Sequence, residues 1–111
     1  AAAITLDPST AHPDLVLSSD RRSVWRAAGP RSDPPASADR FHHWPFVLGL
    51  PGFASGRHRW SVVLGDGGDW ALGVALASLP RTGRLTLGPP GGIWGLEKWG
   101  GQIRALTTRK V

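Results

Sequence analysis

The residues of this 111-residue chain that could do chemistry are four histidines, eight carboxylates and thirteen lysines and arginines. Their spacing points away from catalysis. His42 and His43 are adjacent, so on an extended segment they face opposite ways and cannot share one metal ion. No third ligand stands at a recognisable distance from them. Serine, histidine and aspartate all occur, but no Gly-x-Ser-x-Gly elbow or comparable nucleophile context accompanies them. Gly65, Gly67, Gly68, Gly91 and Gly92 are not followed by the Gly-Lys-Ser/Thr of a phosphate loop. The absence of cysteine removes thiolate nucleophiles, thiolate zinc sites and disulfides together. The expectation is a non-enzyme without a cofactor or metal. Recognition chemistry remains. Trp44 and Trp99 lie in loop-like contexts, where Trp is a favoured binding anchor. Arg57, Arg59 and Arg104, with His42 and His43, could offer charge-assisted hydrogen bonds to an anion.

Elements are needed to position these groups, and composition limits which. Hydrophobic residues make up 41% and charged residues 19%, a globular profile for a chain long enough for one domain. The net charge of +5 comes mainly from arginine, dispersed as Arg21 and Arg22, Arg57 and Arg59, and Arg81 and Arg84. Without a block of like charge the basic residues read as solvated surface, and nucleic acid is not the expected partner. No apolar run reaches the ~20 residues of a membrane span, so direct membrane insertion is not expected.

Fifteen glycines and ten prolines punctuate short apolar runs, a pattern of many turns and few helices. Strands are predicted at Ala3 to Leu6, Leu15 to Leu17 and Ser23 to Arg26. A proline-bounded turn and a Ser-Ser-Asp turn separate them. Residues 28–39, with Pro34-Pro35 at their centre, read as a loop. The clearest predicted hairpin joins Arg59 to Leu64 with Trp70 to Ala75 across Gly65-Asp66-Gly67-Gly68. Further strands are predicted at Leu85 to Leu87, Ile93 to Leu96 and Ile103 to Thr107. Short strands at this spacing predict an all-β antiparallel sandwich. Trp60, Trp70 and Trp94 are expected in its core, with His58 facing away from Trp60 and making a structural hydrogen bond.

Several ordered motifs then resemble one family. Leu6-Asp7-Pro8, Thr10-Ala11-His12-Pro13 and Leu15-Val16-Leu17-Ser18 with Asp20, Arg22, Ser23 and Val24 look like the PRY segment of butyrophilins and tripartite-motif proteins. Val47-Leu48-Gly49, Phe53, Ser55-Gly56-Arg57-His58 and Trp60 resemble the first motif of the SPRY segment. Trp70-Ala71-Leu72-Gly73-Val74-Ala75, and then Gly92-Ile93-Trp94 with Arg104-Ala105-Leu106-Thr107, resemble the motifs after it. Arg59, Ser61 and Val63 depart from the family, which has Tyr before the Trp and Glu on alternate positions after it. The later Leu-Asp-Tyr and Ser-Phe-Tyr motifs are not reached, so the resemblance implies a C-terminally truncated domain.

The resemblance implies a PRY/SPRY (B30.2) sandwich, a concanavalin-like two-sheet jelly roll with its C-terminal strands missing from this chain. Residues 1–45 would be the PRY segment and 46–111 the N-terminal part of SPRY, together one domain. It further implies a non-catalytic target-recognition module, in immune signalling or in substrate selection for ubiquitination by a RING portion elsewhere in a parent protein. The location would be cytoplasmic, or the cytoplasmic domain of a membrane receptor. Another protein is the expected partner, contacted through loop residues His42, His43, Trp44, Asp66, Asp69 and Trp99. The alternative is a phosphorylated small ligand held by Arg57, Arg59 and Arg104. Self-association is a further expectation, because missing strands leave sheet edges open.

Overall fold

The computed structural model describes residues 2–29, 35, 37–65, 68–83 and 85–107. Among them the regular elements are seven strands and one short 3-10 turn: β1 (Thr5–Leu6), β2 (Leu15–Leu17), β3 (Val24–Arg26), β4 (Gly49–Leu50), β5 (Trp70–Ala75), the turn Pro89–Gly91, β6 (Ile93–Trp99) and β7 (Gln102–Ala105). Every strand pair is antiparallel. The chain is therefore all-β and antiparallel, the class to which β-sandwiches belong. It divides into two compact units, Ala1–Val62 with Arg81–Arg84, and Val63–Pro80 with Leu85–Val111.

The first unit holds two small pairings, β1 with β4 and β2 with β3. The β2–β3 hairpin turns on Ser18. Its hydroxyl donates to the Asp20 carboxylate and accepts the Arg22 and Ser23 amides, while its own amide donates to the Ser23 carbonyl at 3.0 Å. Asp20 also accepts the Arg22 amide. Held by Ser18 first and by this amide second, its carboxyl lies below the ordinary aspartate range. The unit's core gathers around Phe41 (1% exposed), Thr10 (4%) and Ala11 (6%). Phe41 meets Phe46 edge-on at 5.6 Å, and the Arg81 guanidinium lies 5.1 Å from its ring centre.

The second unit is a three-stranded sheet ordered β5-β6-β7. Residues directly opposite across a ladder share a face. Trp70, Leu72 and Val74 lie opposite Lys98, Leu96 and Trp94, so an apolar face runs across the sheet. The other face carries Ala71, Gly73 and Ala75 opposite Glu97, Gly95 and Ile93. The two glycines meet where the backbones come closest. A Cβ on Gly73 would lie 2.0 Å from the Trp94 carbonyl oxygen, and one on Gly95 would lie 2.0 Å from that of Leu72. Only glycine fits at either position.

Three local expectations are corrected. Residues 59–64 form no strand, and β5 pairs with β6 along its whole length instead. The run has the composition of a strand, but strand propensity does not choose a ladder partner; β6, with Gly95 to set against Gly73, supplies one. The hairpin turn predicted there includes Asp66 and Gly67, which lie outside the described residues. Leu85 to Leu87 is not a strand; the Pro89–Gly91 turn follows it. β4, made of a glycine and one leucine before a proline, carries too short a signal to be seen in sequence. Trp60 and Trp70 are half-buried as core rings should be, whereas Trp94 is 44% exposed on the apolar face.

Candidate functional site

The predicted binding residues fall into local groups, each built by its own framework. His42, His43 and Trp44 follow the buried Phe41, whose amide donates to the Thr10 carbonyl. Thr10 holds this segment from below. Its hydroxyl donates to the Asp7 carbonyl at 2.8 Å and accepts the Leu48 amide at 2.9 Å. His12 ties the same region together through both ring nitrogens. Nδ1 accepts the Asp14 amide, so the proton sits on Nε2, which donates to the His42 carbonyl at 3.1 Å. The motif Thr10-Ala11-His12-Pro13 thus works as a clamp on residues 41–48.

On that platform His42 and His43 are exposed and Trp44 is half-buried. The Trp44 indole stacks on Phe46 with ring centres 6.0 Å apart and meets His43 edge-on at 5.1 Å. Its Nε1 is buried with no acceptor among the described residues. The ring is committed to an aromatic cluster, and its polar edge is turned inward.

Asp69 and Trp99 come together at the end of the second unit's sheet. The β6–β7 connection is Gly100-Gly101, with φ of 58° and 83°, the two left-handed positions of a type I′ hairpin turn. Asp69 accepts the Gly100 amide at 3.1 Å and so pins the turn from outside. Trp99, expected in a loop, is instead the last residue of β6, because the ladder with β7 runs on to the Trp99–Gln102 pair, and it is 64% exposed. Asp66, named with them from sequence, lies outside the described residues.

The arginines have separate settings. Arg57 and Arg59 are exposed, and the Arg59 carbonyl accepts the Ala2 amide. Arg104 lies opposite Glu97 across the β6–β7 ladder and pairs with it at 3.7 Å. His58 makes the expected structural hydrogen bond, to the Ser55 carbonyl at 2.8 Å. It does not face away from Trp60: both rings stack with Phe53, at 3.8 and 6.2 Å. Two-residue spacing in extended chain puts side chains on the same side.

Sequence reasoning passed over Arg40. Its Nη1 donates to the carbonyls of Pro8 (3.1 Å) and Ala11 (2.8 Å), and its Nε to that of Pro35 (3.2 Å). A single arginine among thirteen basic residues carries no local signal for such a role.

Comparison with known proteins fits the segment organised by Thr10, His12 and Arg40. Residues 4–53 match the family model described as PRY, the SPRY-associated domain. The chain is 48% identical over 93 residues to the human E3 ubiquitin-protein ligase TRIM58, covering 84% of this chain and 19% of that protein. It is 48% identical over 109 residues to human butyrophilin subfamily 2 member A2, covering 97% of this chain and 20% of that protein. Bovine butyrophilin subfamily 1 member A1 is 43% identical over 104 residues, covering 94% and 20%. The chain belongs to the PRY/SPRY family of butyrophilins and tripartite-motif proteins.

The PRY/SPRY chain spans about one fifth of the length of these relatives. The buried Thr10, the His12 clamp and the Ser18 turn all lie within the matched PRY stretch, so its motif residues have structural work in this chain. Among the described residues no helix is long and apolar enough to cross a membrane.

Proposed function

We propose that this PRY/SPRY segment is a non-catalytic protein-recognition module that selects a target for a butyrophilin-like or tripartite-motif parent. Immune signalling, or substrate choice for a ubiquitin-ligase portion elsewhere in the parent, is the corresponding role, and a cytoplasmic location belongs to the same proposal. The observation that carries it is Trp99. A large ring, 64% exposed, stands at the tip of a glycine hairpin that Asp69 holds in shape. A pre-ordered aromatic side chain binds with little further loss of conformational freedom. Trp44 is the weaker anchor, because Phe46 and His43 already pack it. His42 and His43 remain available beside it.

The test is affinity capture with the parent chain and with Trp99→Ala, read by quantitative mass spectrometry. Proteins held by the parent and depleted by Trp99→Ala, with circular dichroism unchanged, support the reading; an identical set at identical occupancy overturns it. Sensing of a phosphorylated ligand has less support, since the Arg104 guanidinium already has Glu97 as a partner. Calorimetry with pyrophosphate distinguishes that alternative.

A further inference from the structure

Within the first unit, a cleft of about 340 Å³ opens between the Pro8 to Pro13 turn and the β2 strand. That is the lower end of the range for sites that take a side chain or small ligand. Leu15 and Leu17 both line it, since residues two apart on a strand share a face. Pro8, Pro13 and Arg40 line it as well.

The cleft's polar equipment is unequal. His12 also lines it, but both His12 ring nitrogens are already used. Arg40 differs. Its Nε and Nη1 are held by three carbonyls, whereas Nη2 meets no acceptor, and no carboxylate pairs with the guanidinium, among the described residues. A charged group anchored on one side and unfilled on the other is pre-ordered for an anion. Arg26, on the face of Leu15 by register, pairs with Asp14 at 3.5 Å, which leaves Arg40 as the cleft's uncompensated cation.

We infer that this cleft binds a peptide segment that seats an aliphatic or proline side chain against Leu15, Leu17, Pro8 and Pro13 and sets a carboxylate on Arg40 Nη2. The apolar walls select the side chain, and the charge selects an acidic neighbour. A bare phosphate would leave the walls unused. Trp99 is not among the residues that line the cleft, so failure of this inference would not touch the recognition role argued from Trp99.

The experiment is methyl NMR on the leucine-labelled chain at low ionic strength. The probe is the capped peptide acetyl-Glu-Leu-Pro-Glu-amide, with a Gln-for-Glu counterpart and inorganic phosphate as comparisons. Saturable shifts at the Leu15 and Leu17 methyls, about tenfold weaker with the Gln peptide and absent with phosphate, are expected. Because Arg40 also holds the turn, Arg40→Ala is not the decisive variant. Leu17→Glu, which places a like charge in the acidic peptide's path, should abolish the shifts at Leu15 while the remaining spectrum stays folded. No saturable shift at Leu15 and Leu17 up to millimolar peptide, equal affinity for the two peptides, or shifts with phosphate alone would overturn the inference.

Discussion

Replacing Thr10 with valine should unlock the segment that carries His42, His43 and Trp44. Thr10 is 4% exposed, and its hydroxyl is the acceptor for the Leu48 amide at 2.9 Å. Valine keeps the shape and removes the oxygen. The Asp7 carbonyl would still receive the residue-10 amide, now at 3.1 Å, so the uncompensated loss falls on the Leu48 N–H. Leaving a buried donor unsatisfied costs about 1–3 kcal/mol, a sizeable part of a domain stability of roughly 5–15 kcal/mol. Thr10→Ser is the control. It keeps both hydrogen bonds and loses one methyl group, worth about 1 kcal/mol. Urea unfolding followed by tryptophan fluorescence reads the difference. With a slope of about 2 kcal/mol per molar urea, Thr10→Val should lower the midpoint by about 1 M and Thr10→Ser by about half that. A Thr10→Val midpoint equal to the parent's, or a Thr10→Ser loss as large as that of Thr10→Val, would refute the assignment of the hydroxyl as the clamp.

Other outcomes follow from the same structure. Gly95→Ala places a Cβ 2.0 Å from the Leu72 carbonyl oxygen and should cost about 1–3 kcal/mol by forcing β5 and β6 apart; hydrogen exchange should show lost protection over both strands, and unchanged protection would contradict the close approach. Arg21 has a φ of 60°, so Arg21→Gly should be neutral or stabilising by up to about 1 kcal/mol in urea unfolding. A clear loss of stability would mean that the side chain matters more than the backbone strain. Asp20 is depressed first by the Ser18 hydroxyl and then by the Arg22 amide. Its stabilising contribution is therefore present above the ordinary aspartate value of ~3.9 and is lost as pH falls through its lower folded value. Ser18→Ala should move the Asp20 titration in a carboxyl NMR experiment upward, and a fixed midpoint would assign the shift elsewhere. Breaking the Arg104–Glu97 pair with Glu97→Gln should change stability by less than about 1 kcal/mol, because partly exposed pairs contribute little.

The ordered PRY motifs could be read in the sequence because each performs a local task. Pro8 and Pro13 bound a turn, Ser18 through Ser23 close a hairpin by their own hydrogen bonds, and Leu15, Val16 and Leu17 alternate along a strand. Short-range geometry of this kind depends on residues a few positions apart, so β2, β3 and β5 were expected where they occur. The all-β antiparallel class followed from the same signals, repeated along the chain at intervals set by glycine and proline.

Pairing is different, because it joins residues that sequence does not bring together. Arg59 to Leu64 and Trp70 to Ala75 looked like a hairpin since each has strand composition and a glycine-rich connection lies between them. β5 instead takes β6, with Gly73 set against Gly95, and that match is visible only when both backbones are in place. Loop-like sequence contexts single out both Trp99 and Asp69, yet the hydrogen bond from the Gly100 amide to Asp69 depends on the register of β5 and β6, which sets Trp70 opposite Lys98. Arg40 carried no signal at all. Its role arises because the turn at Pro8 and Ala11 is brought within reach of its guanidinium. The family resemblance, the β2, β3 and β5 segments and the Ser18 turn are legible in the sequence, because they rest on local chemistry. Only the tertiary structure shows which strands pair, how far each tryptophan is exposed and which carbonyls Arg40 reaches, because these depend on distances between residues far apart in the chain.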